Sequence, residues 1–239
     1  MMVAHMWKKF FKSVSQNKQG VSSDPLFGFV HSCCEVISSR DVLKKSIDKA
    51  SFCIIDLETT GLDVEHDVII NAAAVKVKKG GITKIYESYV KPAEPIPVES
   101  IKWHGITDDM LVDKPSICEV LPELLDFVGD SIIVGHHINF DLRMLKRHVK
   151  ECYDVSLEGT PWLDTMLLHK LVMENNTSTQ LDDLMNIYIV DIHQRHRALG
   201  DSIATTRVFL KILHELSSSF HTLNDLYAAQ KDLSRKDNL

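Results

Sequence analysis

No stretch of this 239-residue chain holds about 18 consecutive apolar residues, so the sequence predicts no membrane-spanning helix. Arginine is absent before Arg40, and the opening Trp7-Lys8-Lys9-Phe10-Phe11-Lys12 lacks both the apolar stretch of a secretion signal and the arginine richness of an organelle signal. A cytoplasmic protein is the expectation. Cysteine is sparse and odd in number: Cys33, Cys34, Cys53, Cys118 and Cys152 include one adjacent pair and no Cys-x-x-Cys spacing. That usage predicts unpaired thiols in a reducing compartment, not a disulfide frame or a zinc site. A basic excess is also missing. Lys+Arg of 27 against Asp+Glu of 33 leaves a net charge of −6, which argues against sequence-independent wrapping of long duplexes and favours engagement of a short end. No internal repeat is evident, and 44% hydrophobic with 25% charged residues excludes global disorder. The length accommodates one full domain with a sizeable core, plus an extension.

Acids are abundant, and a few of them are placed for chemistry. In Ser51-Phe-Cys-Ile-Ile-Asp-Leu-Glu-Thr-Thr-Gly-Leu62, an apolar β-type run acquires two acids and ends in a glycine turn. Period-two geometry puts Asp56 and Glu58 on one face of the strand. Like charges that close force one carboxyl to keep its proton unless a cation neutralises both, and a hard divalent ion bound through oxygens does so. Asp141 opens a helix that continues through Leu142 and Leu145; alone, it reads as a helix cap. His196 lies on a polar loop and Asp201 follows five residues later, where an amphipathic helix is expected to begin. A histidine's ordinary pKa suits it to removing a proton near neutral pH, although a lone loop histidine is more often just a surface residue.

Taken in order, these segments resemble the motifs of the DEDDh exonucleases, the DnaQ-like branch of the RNase H-like superfamily. Asp56-Leu-Glu-Thr-Thr-Gly-Leu62 resembles the first motif, Gly135-His136 through Phe140-Asp141 the second, and His196-Arg-Ala-Leu-Gly-Asp201 the third. Trp103-His-Gly-Ile-Thr107 and Trp162-Leu-Asp-Thr-Met-Leu167 agree as well. The resemblance spans roughly residues 50–217 and includes the exonuclease domain of the DNA polymerase III epsilon subunit. It implies metal-dependent 3′-to-5′ hydrolysis at a single-stranded DNA or RNA 3′ end, DNA favoured, with release of nucleoside monophosphates. Asp56, Glu58, Asp141 and Asp201 are then the ligands of two divalent metal ions, Mg2+ or Mn2+, and His196 is the general base. Thr59, Thr60, Gly61 and Leu62 would hold the terminal nucleotide, with His104 and Asn139 nearby. Two such ions would return about four positive charges to the cleft. Asp164 reads as a structural hydrogen-bonding group rather than a fifth ligand. The chain departs from the common pattern at Asn71-Ala-Ala-Ala74, where many relatives carry an acid, and the metal set is unaffected. A polymerase or repair partner is possible, but the short stretch after Leu216 favours a stand-alone nuclease over a proofreading subunit. A non-catalytic binding module is the least favoured reading.

The expected architecture is an α/β, RNase H-like mixed central sheet flanked by helices, with an N-terminal helical extension. Residues 1–50 form the extension, 51–217 the catalytic domain and 218–239 a helical tail. Strands are predicted over 52–56, 68–78, 82–90 and 132–135, and helices over 117–128, 140–149, 165–173, 180–187, 201–216 and 223–230. Pro92, Pro95 and Pro97 predict an extended loop, and Ser38 with Asp41 a capping box.

Overall fold

The computed structural model describes residues 25–173, 178–191 and 197–236. Five strands form one sheet, β1 (Ser51–Thr59), β2 (Ile69–Lys78), β3 (Gly81–Tyr89), β4 (Ile132–Gly135) and β5 (Trp162–Asp164), in the order β3-β2-β1-β4-β5. The first three run antiparallel as a meander, and β4 and β5 join β1 in parallel. This mixed sheet flanked by helices is the expected RNase H-like architecture.

Alternation along β1 divides the core in two. Cys53, Ile55 and Leu57 face one cluster, together with α1 (Pro25–Ser38), α4 (Ile117–Val128) and α5 (Asn139–Tyr153). Phe52 and Ile54 face the other, with α6 (Thr165–Val172), α7 (Leu181–Ile187), α8 (Ala198–Leu216) and α9 (Leu223–Lys236). Two short helices, α2 (Val98–His104) and α3 (Asp108–Leu111), follow the proline-rich stretch. Sequence periodicity does not reveal them, because seven and four residues are too short to show a helical repeat.

Helix α4 shows how local sequence and packing cooperate. The Glu119 carboxylate accepts from the backbone N–H of Ser116 at 2.8 Å, in a capping box. Pro122, inside the helix, has no N–H to give the carbonyl of Cys118 one turn earlier. The Tyr153 hydroxyl from α5 donates to that carbonyl instead. Beside it, Cys118 and Cys152 form a disulfide across the two helices, with Cα atoms 5.4 Å apart.

That bond corrects the expectation of five unpaired thiols. Parity and spacing see only the chain, whereas pairing depends on the Cα separation that helix packing sets. Cysteine usage therefore no longer argues for a reducing compartment. The remaining thiols are Cys33, half-buried, and the buried Cys34 and Cys53, the last two pushed up to about 12 by desolvation. Two boundaries also shift. The cap before residue 40 is Ser39, whose hydroxyl accepts from Asp41 N–H at 3.2 Å, and what it starts is a 3₁₀ turn over Arg40–Lys44. Helix α8 begins at Ala198, so Asp201 lies one turn inside it instead of at its start. No described helix is long and apolar enough to cross a membrane.

The two flanks meet each other. Ile47 N–H donates to the His221 carbonyl at 3.1 Å and Leu223 N–H to the Lys45 carbonyl at 3.1 Å, with a bridge between Ser46 and Thr222. Leu26, Val30, Cys34 and Ile37 of α1 are part of the first core cluster, and Leu223, Leu226 and Tyr227 of α9 part of the second.

Candidate active site

The acids gather at the end of β1. Asp56 and Glu58 share the face that carries Phe52 and Ile54, and α8 packs on that face, bringing Asp201 to them. One ligand atom from each of Asp56, Glu58 and Asp201 lies within 4.8 Å of the others. Asp141 arrives from the opposite side on α5, and its Oδ1 accepts from the Leu57 N–H at 3.0 Å. Asp141 and Asp201, from two remote helices, thus converge on Asp56–Glu58 of one strand.

Burial makes this arrangement costly for uncompensated charge. Desolvation pushes Glu58 up to about 7. Asp141 is raised as well, first by desolvation and then by the charges of Glu58 and Asp164, against the backbone hydrogen bonds that lower it. A site built only from carboxylate oxygens, with Glu58 and Asp141 both inclined to hold a proton near neutrality, fits a hard divalent cation.

The loop leading away from the acids is tied by Asp67. Its Oδ1 accepts from the Thr60 hydroxyl at 2.8 Å and its Oδ2 from Asp63 N–H at 2.8 Å, while Val68 N–H donates to the Thr60 hydroxyl at 3.0 Å. The Thr59 hydroxyl donates to the Gly61 carbonyl at 2.6 Å. A Cβ on Gly61 would stand 2.4 Å from Asp67 Oδ2, so a larger residue here would push the Asp67 carboxylate off its hydrogen bonds.

Helix α5 is aimed by Asp164. One carboxylate oxygen accepts from His137 N–H at 3.2 Å and from Met166 N–H at 2.9 Å, the other from Ile138 N–H at 3.1 Å. His137, at φ 56°, turns the chain there. The fully buried Gln230 of α9 completes the support: its Oε1 accepts from Asp164 N–H at 2.7 Å and its Nε2 donates to the Trp162 carbonyl at 3.1 Å. Asn71 lies opposite Glu58 in the sheet and donates to the Ser88 carbonyl at 3.2 Å.

A cleft of about 570 Å³ opens over Asp56, Glu58 and Asp141, walled by Thr59, Thr60, Gly61, Leu62 and His104. His136, His137, Phe140, Ser100 and Trp103 also line it, none of which the motifs singled out for a role. Asn139 is exposed at the start of α5 and does not line the cleft. His196 lies outside the described residues. His104 is 5% exposed. Its Nδ1 accepts from Ile106 N–H at 3.0 Å, and its Nε2 is buried without a hydrogen-bond partner among the described residues. Burial lowers the pKa of this ring, so near neutrality it is uncharged; with Nδ1 accepting, the proton sits on Nε2 as an unused donor.

A family model described as Exonuclease, RNase_T, matches residues 53–209. The chain belongs to this exonuclease family. Among its relatives, the DNA polymerase III subunit epsilon of Aquifex aeolicus is 36% identical over 189 residues, covering 79% of this chain and 93% of the relative. The PolC-type DNA polymerase III of Thermotoga petrophila is 38% identical over 192 residues, covering 79% of this chain but only 14% of that polymerase. The solved structure of exonuclease X in complex with 5′ overhanging duplex DNA superposes with a TM-score of 0.60 at 25% identity, covering 75% of this chain and 99% of that one. The exonuclease segment starts inside β1 and ends inside α8, so α1 and α9 with its Gln230 lie beyond it.

Proposed function

We propose that this chain is a metal-dependent 3′-to-5′ exonuclease of the DEDDh type that removes nucleoside monophosphates from single-stranded DNA. The observation that carries the reading is the meeting of Asp56, Glu58 and Asp201 within 4.8 Å, with Asp141 bonded to the backbone between the first two. Asp56, Glu58, Asp141 and Asp201 would hold two divalent ions, Mg2+ or Mn2+. Such ions, when bound, acidify water and neutralise the charge that builds on phosphate and leaving oxygen.

The chain's own groups have separate tasks. His196 takes the proton from the attacking water as general base. The Asp67-tied turn from Thr59 to Leu62 and the ring of His104 present a fixed wall to the terminal nucleotide. Asp164 and Gln230 do not touch substrate; they hold the turn that delivers Asp141. The test uses oligonucleotides labelled at either end, with magnesium or manganese, and compares the parent protein with Asp56→Ala and His196→Ala. Asp56→Ala should abolish digestion, and His196→Ala should lower kcat by about 10²–10⁴-fold. Equal digestion by all three proteins would overturn the reading, and the order in which the labels are released reads polarity.

A second setting, proofreading beside a replicative polymerase, gains support from the names of the relatives. The Aquifex epsilon subunit is matched over nearly its whole length, which weakens the argument from a short tail. Copurification with a polymerase from native extract supports this setting. Matched DNA and RNA oligomers decide between deoxyribose and ribose substrates, which differ at the 2′-hydroxyl.

A further inference from the structure

Helix α5 carries Asp141 in its first turn and, six residues on, an arginine that none of the motifs contains. The Nη1 of Arg147 lies 3.2 Å from the Glu151 carboxylate, yet this is not an ordinary surface pair, for the Glu151 side chain is 54% exposed and that of Arg147 only 16%. The guanidinium is turned to the loop between β1 and β2. Nη1 donates to the Glu65 carbonyl at 3.3 Å and Nη2 to the Asp67 carbonyl, 80 residues away in the chain. Asp67 is the residue whose carboxylate holds the Thr60 hydroxyl and the Asp63 N–H. Backbone bonds close the same loop, from Asp67 N–H to the Asp63 carbonyl at 2.8 Å and from Thr60 N–H to the Val68 carbonyl at 2.9 Å. One helix therefore grips the end of β1 twice, through Asp141 on the Leu57 N–H and through Arg147 on the loop that follows. About 9 Å of helix axis separates the two grips, a spacer whose length its own hydrogen bonds fix.

We propose that Arg147 is a positioning residue: it holds the Thr59–Leu62 turn at a set distance from the acids, so that a nucleotide seated against the turn presents its phosphate to them. This rests on the exonuclease reading. The acids themselves do not depend on Arg147, since Asp56 and Glu58 belong to β1, Asp201 to α8, and Asp141 is bonded to Leu57. Losing the guanidinium should loosen nucleotide binding and leave metal binding alone. Lysine is a poor substitute, because one ammonium lacks the planar fork that reaches two carbonyls at once.

The test compares wild type, Arg147→Met, Arg147→Lys and Arg147→Ala on a single-stranded oligothymidylate with magnesium. Arg147→Met keeps most of the stem and removes the fork; it should raise KM about tenfold with far less effect on kcat, and leave the magnesium concentration for half activation unchanged. Arg147→Lys should recover only a small part of the loss. In Arg147→Ala, guanidinium chloride at about 10 mM should lower KM towards the wild-type value, and sodium chloride at the same ionic strength should not. A merely structural arginine would give a lower Tm with a wild-type KM at temperatures where the variant is folded, and that result would overturn the proposal. Equal effects of the two salts would overturn it too. Binding of labelled oligothymidylate in calcium needs no turnover and should weaken in Arg147→Met by the same factor as KM. Hydrogen exchange locates the cause: the amides of Thr60, Asp67 and Val68 should exchange faster in Arg147→Met, while that of Leu57 keeps its protection. Unchanged protection of the three loop amides would overturn the proposal. Should no protein degrade the oligomer while its binding in calcium depends on Arg147, the exonuclease reading fails and the positioning role stands.

Discussion

Glu58 shows how a single side chain couples fold to ligand. Its carboxyl, pushed up to about 7 by burial, is above its ordinary value of 4.5, so between those values the metal-free folded protein binds more protons than the unfolded chain. Stability from this group is therefore present in acid and declines as pH rises through that window. Asp141 is shifted in the same direction. A divalent cation opposes the loss by favouring both ionised carboxylates. The rise in Tm on adding magnesium should be larger at about pH 8 than at about pH 6, and Asp56→Asn should remove most of that difference. Thermal melts at both pH values check it, and equal shifts would contradict it. Asp56 and Glu58 were legible from their two-residue spacing alone, and Asp141 and Asp201 from motif order. That Asp164 is a structural hydrogen-bonding group was legible from its motif, but which three backbone N–H groups it clasps was not, since these are 26 and 27 residues away in one direction and two in the other.

Among elements, the contact between α4 and α5 is the clearest case of a local defect repaired from a distance. Pro122 deprives the Cys118 carbonyl of its helical partner, and Tyr153 supplies the replacement. Tyr153→Phe keeps the ring, which packs edge-on against Phe27 at 5.5 Å, and removes only the donor. It should cost about 1 kcal/mol, as expected for losing one hydrogen bond to a part-buried carbonyl, measured by urea unfolding. Little change would mean that water takes the place of the hydroxyl. The twelve-residue α4 was legible because hydrophobic period repeats within it, and the four-residue β4 from its unbroken apolar run Ile132-Ile133-Val134 before a glycine; both have the predicted bounds. Strand β5, three residues long, carries no such signal and exists because β4 offers it a parallel edge. The Cys118–Cys152 pairing belongs to the same class, invisible along the chain and determined by where two helices run.

For the molecule as a whole, the family segment is smaller than the unit that shares the core. Residues 53–209 omit α1, all of α9 and the end of α8, and with them Leu216, Leu223, Leu226 and Tyr227 from the cluster that covers one sheet face. They also omit Gln230, whose loss leaves Asp164 N–H and the Trp162 carbonyl without these bonds in a buried place. A fragment of 53–209 should melt well below the full chain and bind an apolar dye at temperatures where the full chain does not. Matching melts would show that the flanks are dispensable.

The knot of backbone bonds between residues 45–47 and 221–223 makes one door of the two segments that flank the sheet. When one leaf swings out the other loses its latch, so the amides of Ile47 and Leu223 should trade their protons for deuterium in step, at a single shared rate.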